Sequence, residues 1–403
     1  MAQPKLRFPE FKDEWELKKL KDYLIFQNGL NADKEKFGSG TKFISVMDIL
    51  NNPYITYDVI RGSIEVDPKT LKNYSVEYGD VLFQRSSENR EDAGKSNVYL
   101  DKENTATFGG FVIRGKKNGN YEPVFMNAAL KSNYVRKDIT SKAQGAQHIN
   151  VGQETLENVS VYTPSMAEQK KISSLIEEID KKIAEQEKSI IYNEELKKGI
   201  LQKIFNQETR FSGEDSSFPE WEETSLSELL VERKTKAKKD GSYEHVSLTK
   251  EGVVPKSARY ERDFLVKSDE KDYKITKLND ICYNPANLKF GVICRNRYGE
   301  GIFSPIYVTY EVTSKALPEF MEIYLTRWDF INYALRYQEG TVYERMAVSS
   351  EDLLKIKILL PCIEEQERIC KLISTLDDKI TIEKQILEDW KDFKKAIIQQ
   401  MFV

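Results

Sequence analysis

Apolar residues recur at alternating steps of four and three along two stretches of the chain. In the first, Ile172, Ile176, Ile179, Ile183, Gln186, Ile190, Asn193, Lys197, Ile200 and Ile204 follow that rhythm. In the second, Ile369, Ile373, Leu376, Ile380, Glu383, Leu387, Trp390, Lys394, Ile397 and Met401 repeat it. Such spacing lays one apolar stripe along a helix and predicts a coiled-coil seam. Polar residues interrupt both stripes at matching places, Gln186 with Glu383 and Lys197 with Lys394. Pro164 and Pro361 stand just ahead of the stretches, where a helix start needs no donor and gains from a preset φ. About forty residues at about 1.5 Å each give a rod of roughly 60 Å. A stripe of this kind also suits a helix packed on its own domain, but two copies of one seam offer each other a partner.

The two stretches align without a gap at an offset of about 197 residues, TPSMAEQKKISSLIEEIDKKI from Thr163 against LPCIEEQERICKLISTLDDKI from Leu360. Glu168 and Gln169 match Glu365 and Gln366, Asp180 matches Asp377, and the match runs on to Gln202 and Phe205 against Gln399 and Phe402. A fixed-offset repeat of this kind defines the architecture, and it extends into the globular parts. FPEF at residues 8–11 parallels FPEW at 218–221, and KFISVMDI from Lys42 parallels YEHVSLTKEG from Tyr243. YGDVLFQRSS from Tyr78 parallels LNDICYNPAN from Leu278; in each, a polar turn ending in Asp80 or Asp280 leads into a short apolar strand. VFMNAALKSNYV from Val124 parallels EFMEIYLTRWDFI from Glu319 with helical spacing, and Leu156, Val159 and Val161 match Leu353, Ile356 and Ile358.

The expected order is therefore domain, helix, domain, helix, with an α+β (mixed α/β) fold in each domain. The first domain spans residues 1–163 and the first helix 164–207. A polar linker from Glu208 and the second domain span 208–360, and the second helix 361–403. The framework repeats but the loops between strands do not, which suggests one task carried out twice on two different targets.

Composition narrows the class. With 31% charged and 11% aromatic residues the chain reads as folded. A net charge of −4 argues against a stand-alone basic nucleic-acid binder but not against local basic patches. The cysteines, Cys282, Cys294, Cys362 and Cys370, lack zinc-site spacing and suggest no secreted disulfide framework. No apolar run approaches about 18 residues, and a cytoplasmic protein is expected.

The chain resembles the specificity (S) subunits of type I restriction–modification enzymes. The resemblance rests on the FPEF and FPEW openings, GDVLF at Gly79, P-x-x-x-E-Q-x-x-I at Pro164 and Pro361, and the duplication itself. It implies that each globular unit is a target-recognition domain reading one half of a split, asymmetric double-stranded DNA site. It implies that the two helices pair antiparallel as a spacer. It also implies no catalytic activity and no cofactor in this chain. Two methylating (M) subunits would bring S-adenosylmethionine, and restriction (R) subunits would bring ATP and magnesium. Outward Glu177, Lys181, Glu185 and Lys188 would form a docking surface for the M subunits.

Base discrimination in the major groove needs bidentate donors and acceptors. Candidates in the first domain are Gln84, Arg85, Ser86, Asn89, Arg90, Lys95 and Asn97, then Lys142, Gln144, Gln147 and His148. In the second domain they are Asn284, Asn287, Lys289, Arg295, Asn296 and Arg297, then Tyr343, Glu344 and Arg345. Gly145 and Gly340 precede the late strand at the same place in each domain. The basic run at residues 233–239 suits phosphates or plain solvation. Catalytic motifs fail one by one. Asn284-Pro285-Ala286-Asn287 lacks the second proline of an amino-methyltransferase motif, and GFVIRGKK from Gly110 lacks the hydroxyl of a phosphate loop. His245, in a strand-like run, reads as structural. Two other functions stay open: a coiled-coil scaffold joining two protein-binding modules without DNA contact, and an enzyme with an unrecognised site.

Overall fold

The computed structural model describes residues 3–31, 33–211, 218–237, 243–250, 252–256, 272–339 and 346–403. The chain divides into two compact units, Met1–Ile191 with Ile382–Val403, and Tyr192–Thr381. Each unit thus contains one globular part and a portion of both long helices, Met166–Phe205 and Ile363–Met401.

In the first unit, the opening strand Glu16–Lys19 pairs antiparallel with Ser160–Thr163, the strand that leads into the long helix. The main sheet is antiparallel, in the order Leu24–Asn28, Val112–Lys117, Val81–Gln84, Ser96–Val98. All of Val81–Gln84 is buried, as befits a central strand. In the second unit, Glu222–Ser225 pairs with Lys357–Leu360, and the sheet order Leu230–Glu232, Val308–Val312, Ile281–Tyr283, Ile293–Arg295 repeats the first. The strands expected after Asp80 and Asp280 form. Of the parallel stretches from Lys42 and Tyr243, the second holds the buried strand Val246–Leu248, whereas the first is strand only to Ile44, at the end of a largely exposed strand Phe37–Ile44, and then turns into the helix Val46–Leu50. Leu156, Val159, Val161, Leu353, Ile356 and Ile358 are all buried.

The helical pattern from Val124 is not one helix but two, Pro123–Ala129 and Asn133–Lys142. Ser132 breaks it by accepting a bond from Val135 N, which caps the second helix. The pattern from Glu319 divides likewise into Pro318–Leu325 and Trp328–Ala334.

The Glu-Gln pair of the repeated motif joins each domain to its helix. Glu168 is 1% exposed and accepts two bonds of 2.8 Å from the Arg7 guanidinium. It also accepts a bond from Trp15 Nε1. Glu365, equally buried, accepts from Arg210 and from Trp221 Nε1 at 2.9 Å. Gln169 donates to Pro164 O and accepts from Glu122 N, the residue that precedes the helix Pro123–Ala129. Gln366 does the same with Pro361 O and Leu317 N. The arrangement corrects the sequence alignment of the openings. Trp221 answers Trp15, not Phe11, and Arg210 answers Arg7, because the equivalent residues are those that reach the buried carboxylate.

Aromatic packing repeats too. In the first unit Trp15, Phe125 and Phe402 meet, with ring centroids 5.1–6.0 Å apart. In the second, Phe205 packs on Trp221 and Phe320 at 6.0 and 5.9 Å. Each domain core is thus completed by the last turn of the helix from the opposite repeat.

The seam residues are buried or half-buried throughout. Near the proline ends they serve the domain cores. Ile172 and Ile176 join the first core together with Ile398, Met401 and Phe402, and Ile369 and Ile373 join the second with Ile204. Further along, in the first unit, Asp180 pairs with Lys394 at 2.5 Å and Gln186 Nε2 donates to Glu383 O at 3.0 Å. Rising numbers meet falling ones, so the helices there run antiparallel. In the second unit Lys197 pairs with Asp377 at 2.5 Å, the same contact carried over by the repeat.

Replacing Glu168 by alanine leaves the half-buried Arg7 guanidinium and the buried Trp15 Nε1 without their acceptor. Urea unfolding should show a loss of about 1.5–3 kcal/mol; a loss below about 1 kcal/mol, the worth of a surface pair, would contradict the clamp.

Candidate nucleic-acid interface

The central strand Val81–Gln84 delivers the chain to a polar loop in the first unit. The two candidate stretches, apart in sequence, meet there. Ser86–Ser87 pairs antiparallel with Ile149–Asn150, Ser86 Oγ bonds the Asn150 side chain, and Val151 N donates to Arg85 O at 3.0 Å. Gln144 and Asn150 close the second loop through reciprocal backbone bonds of 2.9 and 2.7 Å. Gly145 turns it at φ +117°, where a Cβ would stand 2.0 Å from His148 O. Gln144, Gln147 and His148 are left exposed, as are Arg85 and Asn89. Between them lies a cleft of about 420 Å³ lined by Gln84, Ser86, Asn89, His148 and Phe111, among others.

Two arginines tie the polar loop to the helix Asn133–Lys142. Arg136, on the helix Asn133–Lys142, donates to the carbonyls of Gly94, Glu91 and Ala93 at 2.7–3.0 Å. Arg90 donates to Thr140 O and Ala143 O, so its guanidinium braces backbone while its side chain stays exposed. Lys95 pairs with Asp92, and Lys142 with Asp138 at 2.7 Å. Asn97 is a correction. It is fully buried and donates to Ile49 O and Asn52 O, so it supports the fold and does not face solvent. Gln84 is 7% exposed and its amide donates to Ser86 O.

The second unit builds the same platform with different side chains. Val348 N donates to Pro285 O as Val151 N does to Arg85 O. Glu339 and Ala347 exchange backbone bonds of 3.0 Å as Gln144 and Asn150 do. The loop they bracket holds Gly340, Tyr343, Glu344 and Arg345, which lie outside the described residues. Asn284 is buried and caps the 3₁₀ turn Pro285–Phe290, its Oδ1 accepting from Ala286 N, while Asn287 and Lys289 are exposed. Asn296 is a second correction: it is fully buried and bonded to Thr276 Oγ1 and Gly299 O. Arg295 is a third. Its half-buried guanidinium is held by Glu319, Glu322 and Asn279. Arg297 is exposed and pairs with Glu322 at 2.7 Å. In the basic run, Arg233 grips Asp280 with two bonds of 2.8 and 2.9 Å, and Lys238 and Lys239 lie outside the described residues.

A sequence profile for the type I restriction modification DNA specificity domain matches residues 12–193 and 323–389, more than half of the chain. The chain belongs to the type I restriction–modification DNA specificity family. Two relatives come from Methanocaldococcus jannaschii. A chain assigned as the type I restriction enzyme MjaX specificity subunit is 26% identical, with 98% of this chain and 94% of that one covered. The MjaVIII specificity subunit is 23% identical, with 98% and 92% covered. Among solved structures, the S subunit of a type I system from M. genitalium superposes with a TM-score of 0.54 at 15% identity, covering 100% and 99% of the two chains. A chain from a study of complex assembly and conformational transition of the type I system gives 0.55 at 12% identity, covering 96% and 97%. These likenesses agree in fold.

For a specificity-family protein, the electrostatics separate support from surface. Burial pushes the Asp80 carboxyl up to about 6, even though backbone N–H groups of Lys117 and Glu77 donate to it. Its place is the turn that launches the central strand. At the surface, bonds from Lys95 and Asn89 hold the Asp92 carboxyl below its ordinary range. His245 is half-buried beside the Tyr273 ring, and burial lowers its pKa. Among the described residues no cluster of His, Cys, Asp and Glu could hold a metal ion, and no helix is long and apolar enough to cross a membrane. Sequence reasoning missed Arg136, which looks like an ordinary helix surface residue. It also missed Phe111, whose signal was a large apolar residue directly after Gly-Gly at a turn.

Replacing Arg136 by alanine should release residues 89–95. Hydrogen exchange of their amides should accelerate at least tenfold while the central strand keeps its protection; unchanged exchange would show that the helix does not brace the loop.

Proposed function

We propose that this chain is the DNA-reading, non-catalytic subunit of a methylation and restriction complex. Each globular domain reads one half of a bipartite, asymmetric double-stranded site, and the helix pair sets the unread spacer between the halves. Adenine-methylating M subunits and restriction R subunits supply the chemistry. S-adenosylmethionine belongs to the former, ATP and magnesium to the latter, and this chain needs no cofactor.

The observation that carries the reading is a repeated platform with unrepeated side chains. Both domains present a loop at the end of the same central strand, braced by the same backbone bonds. Arg85, Asn89, Gln147 and His148 stand out in one, and Asn287, Lys289 and Arg297 in the other. Arginine and asparagine suit guanine and adenine edges, and lysine suits phosphate. A pair of protein-binding modules would not need this stock of bidentate groups. Glu177, Lys181, Glu185 and Lys188 are exposed on the first helix and remain the proposed docking face for the M subunits.

The assembled complex should select one split sequence from a random DNA library. Arg85→Ala should relax preference at one position of one half-site by about 1–3 kcal/mol and leave the other half unchanged. Uniform weakening across all sequences would mean a phosphate contact instead. Inserting about seven residues at equivalent places in both seams should lengthen the unread spacer without changing either half; an unchanged spacer would reject the ruler.

A further inference from the structure

Phe111 is 73% exposed, the most open large apolar side chain in either unit among the described residues. It follows Gly109 and Gly110 at the turn into the strand Val112–Lys117. The turn is built to closeness: a Cβ on Gly110 would stand 2.0 Å from Asn31 Oδ1. Arg85 N donates to Phe111 O at 2.9 Å, which fixes the turn beside the polar loop. Phe111 divides two hollows. One is the polar cleft of about 420 Å³ with Asn89 and His148; the other, of about 520 Å³, is lined by Phe37 and Met47 among other apolar residues, with Asn31, Asp33 and Ser45.

A single exposed apolar residue is ordinary. The same exposure at the same place in both domains is not. Strand register gives the equivalence. Phe83 stands opposite Ile113, and Tyr283 stands opposite Val308 in the matching sheet. Two positions before Ile113 is Phe111, and two positions before Val308 is Ile306, which is 59% exposed. Each domain thus exposes a large apolar side chain at this register position, and in the second Phe290, in the turn Pro285–Phe290, is exposed as well.

Resting on the DNA-reading function proposed above, we infer that Phe111 and Ile306 are specificity-determining residues that each contact the C5-methyl group of a thymine in their half-site. The methyl is the one apolar feature on a base edge in the major groove, and it lies beside hydrogen-bonding atoms. Phe111 has the same makeup, an apolar tip next to a hydrogen-bonding cleft. An aromatic ring and an aliphatic chain share no stacking chemistry, but both pack on a methyl group. A wedge between base pairs would leave the polar neighbours without base edges to read.

The test uses the full complex and duplexes carrying its selected site, with each thymine replaced singly by deoxyuridine. For the wild type, one replacement in each half-site should weaken binding roughly fourfold, the worth of one methyl-sized group. Phe111→Ala should be indifferent to that replacement in one half, and Ile306→Ala in the other, with both variants keeping their sensitivity elsewhere. The inference is overturned if no uracil position matters to the wild type, if a half-site contains no thymine, or if Phe111→Ala keeps the wild-type response. A gain in 2-aminopurine fluorescence on binding that Phe111→Ala abolishes would assign the wedge instead. A complex that selects no sequence at all would overturn the DNA-reading function and this inference together. One that selects a site but ignores uracil overturns this inference alone.

Discussion

A carboxylate buried at the root of each long helix ties the molecule together. Glu168 is almost fully buried and accepts bonds from Arg7 and Trp15, and these come from the opening of the domain. The neighbouring Gln169 holds the start of a second helix through Glu122 N. Three segments distant in sequence are therefore fixed around one Glu-Gln dipeptide, and the strand pair Glu16–Lys19 with Ser160–Thr163 lies beside it. Glu365 and Gln366 repeat the knot in the second unit. Buried ion pairs add little net stability but are costly to break. The knot therefore specifies how a domain sits on its helix more than it strengthens the fold.

Much of this was legible in the sequence because it is periodic or repeated. The seam, the strands after Asp80 and Asp280, and the alternation of domain and helix followed from spacing alone. The openings misaligned because a tetrapeptide match ignores which tryptophan reaches the carboxylate. The helix from Val124 split because Ser132 competes for a backbone donor, an event that apolar spacing does not record.

The candidate site was legible by residue type but not by burial. Arg85, Asn89 and His148 are where an exposed reader would stand. Asn97 and Asn296 have the same hydrogen-bonding chemistry, yet both are spent on backbone and side-chain partners inside the fold. Arg295 is spent on Glu319 and Glu322, one helical turn apart and only visible as partners once the helix Pro318–Leu325 lies over its strand. Two copies of one scaffold separate these roles. Contacts that recur in both units belong to the framework, and exposed side chains that differ are free to set the target.

The central claim is that this chain gives a methylation complex its sequence. The most direct measurement is a map of methylated adenines in DNA from cells that express the cognate M subunit with and without this chain. The account predicts a split motif with an unread gap, present only when the chain is present. Methylation that does not change, in cells where the complex is shown to assemble, would contradict it.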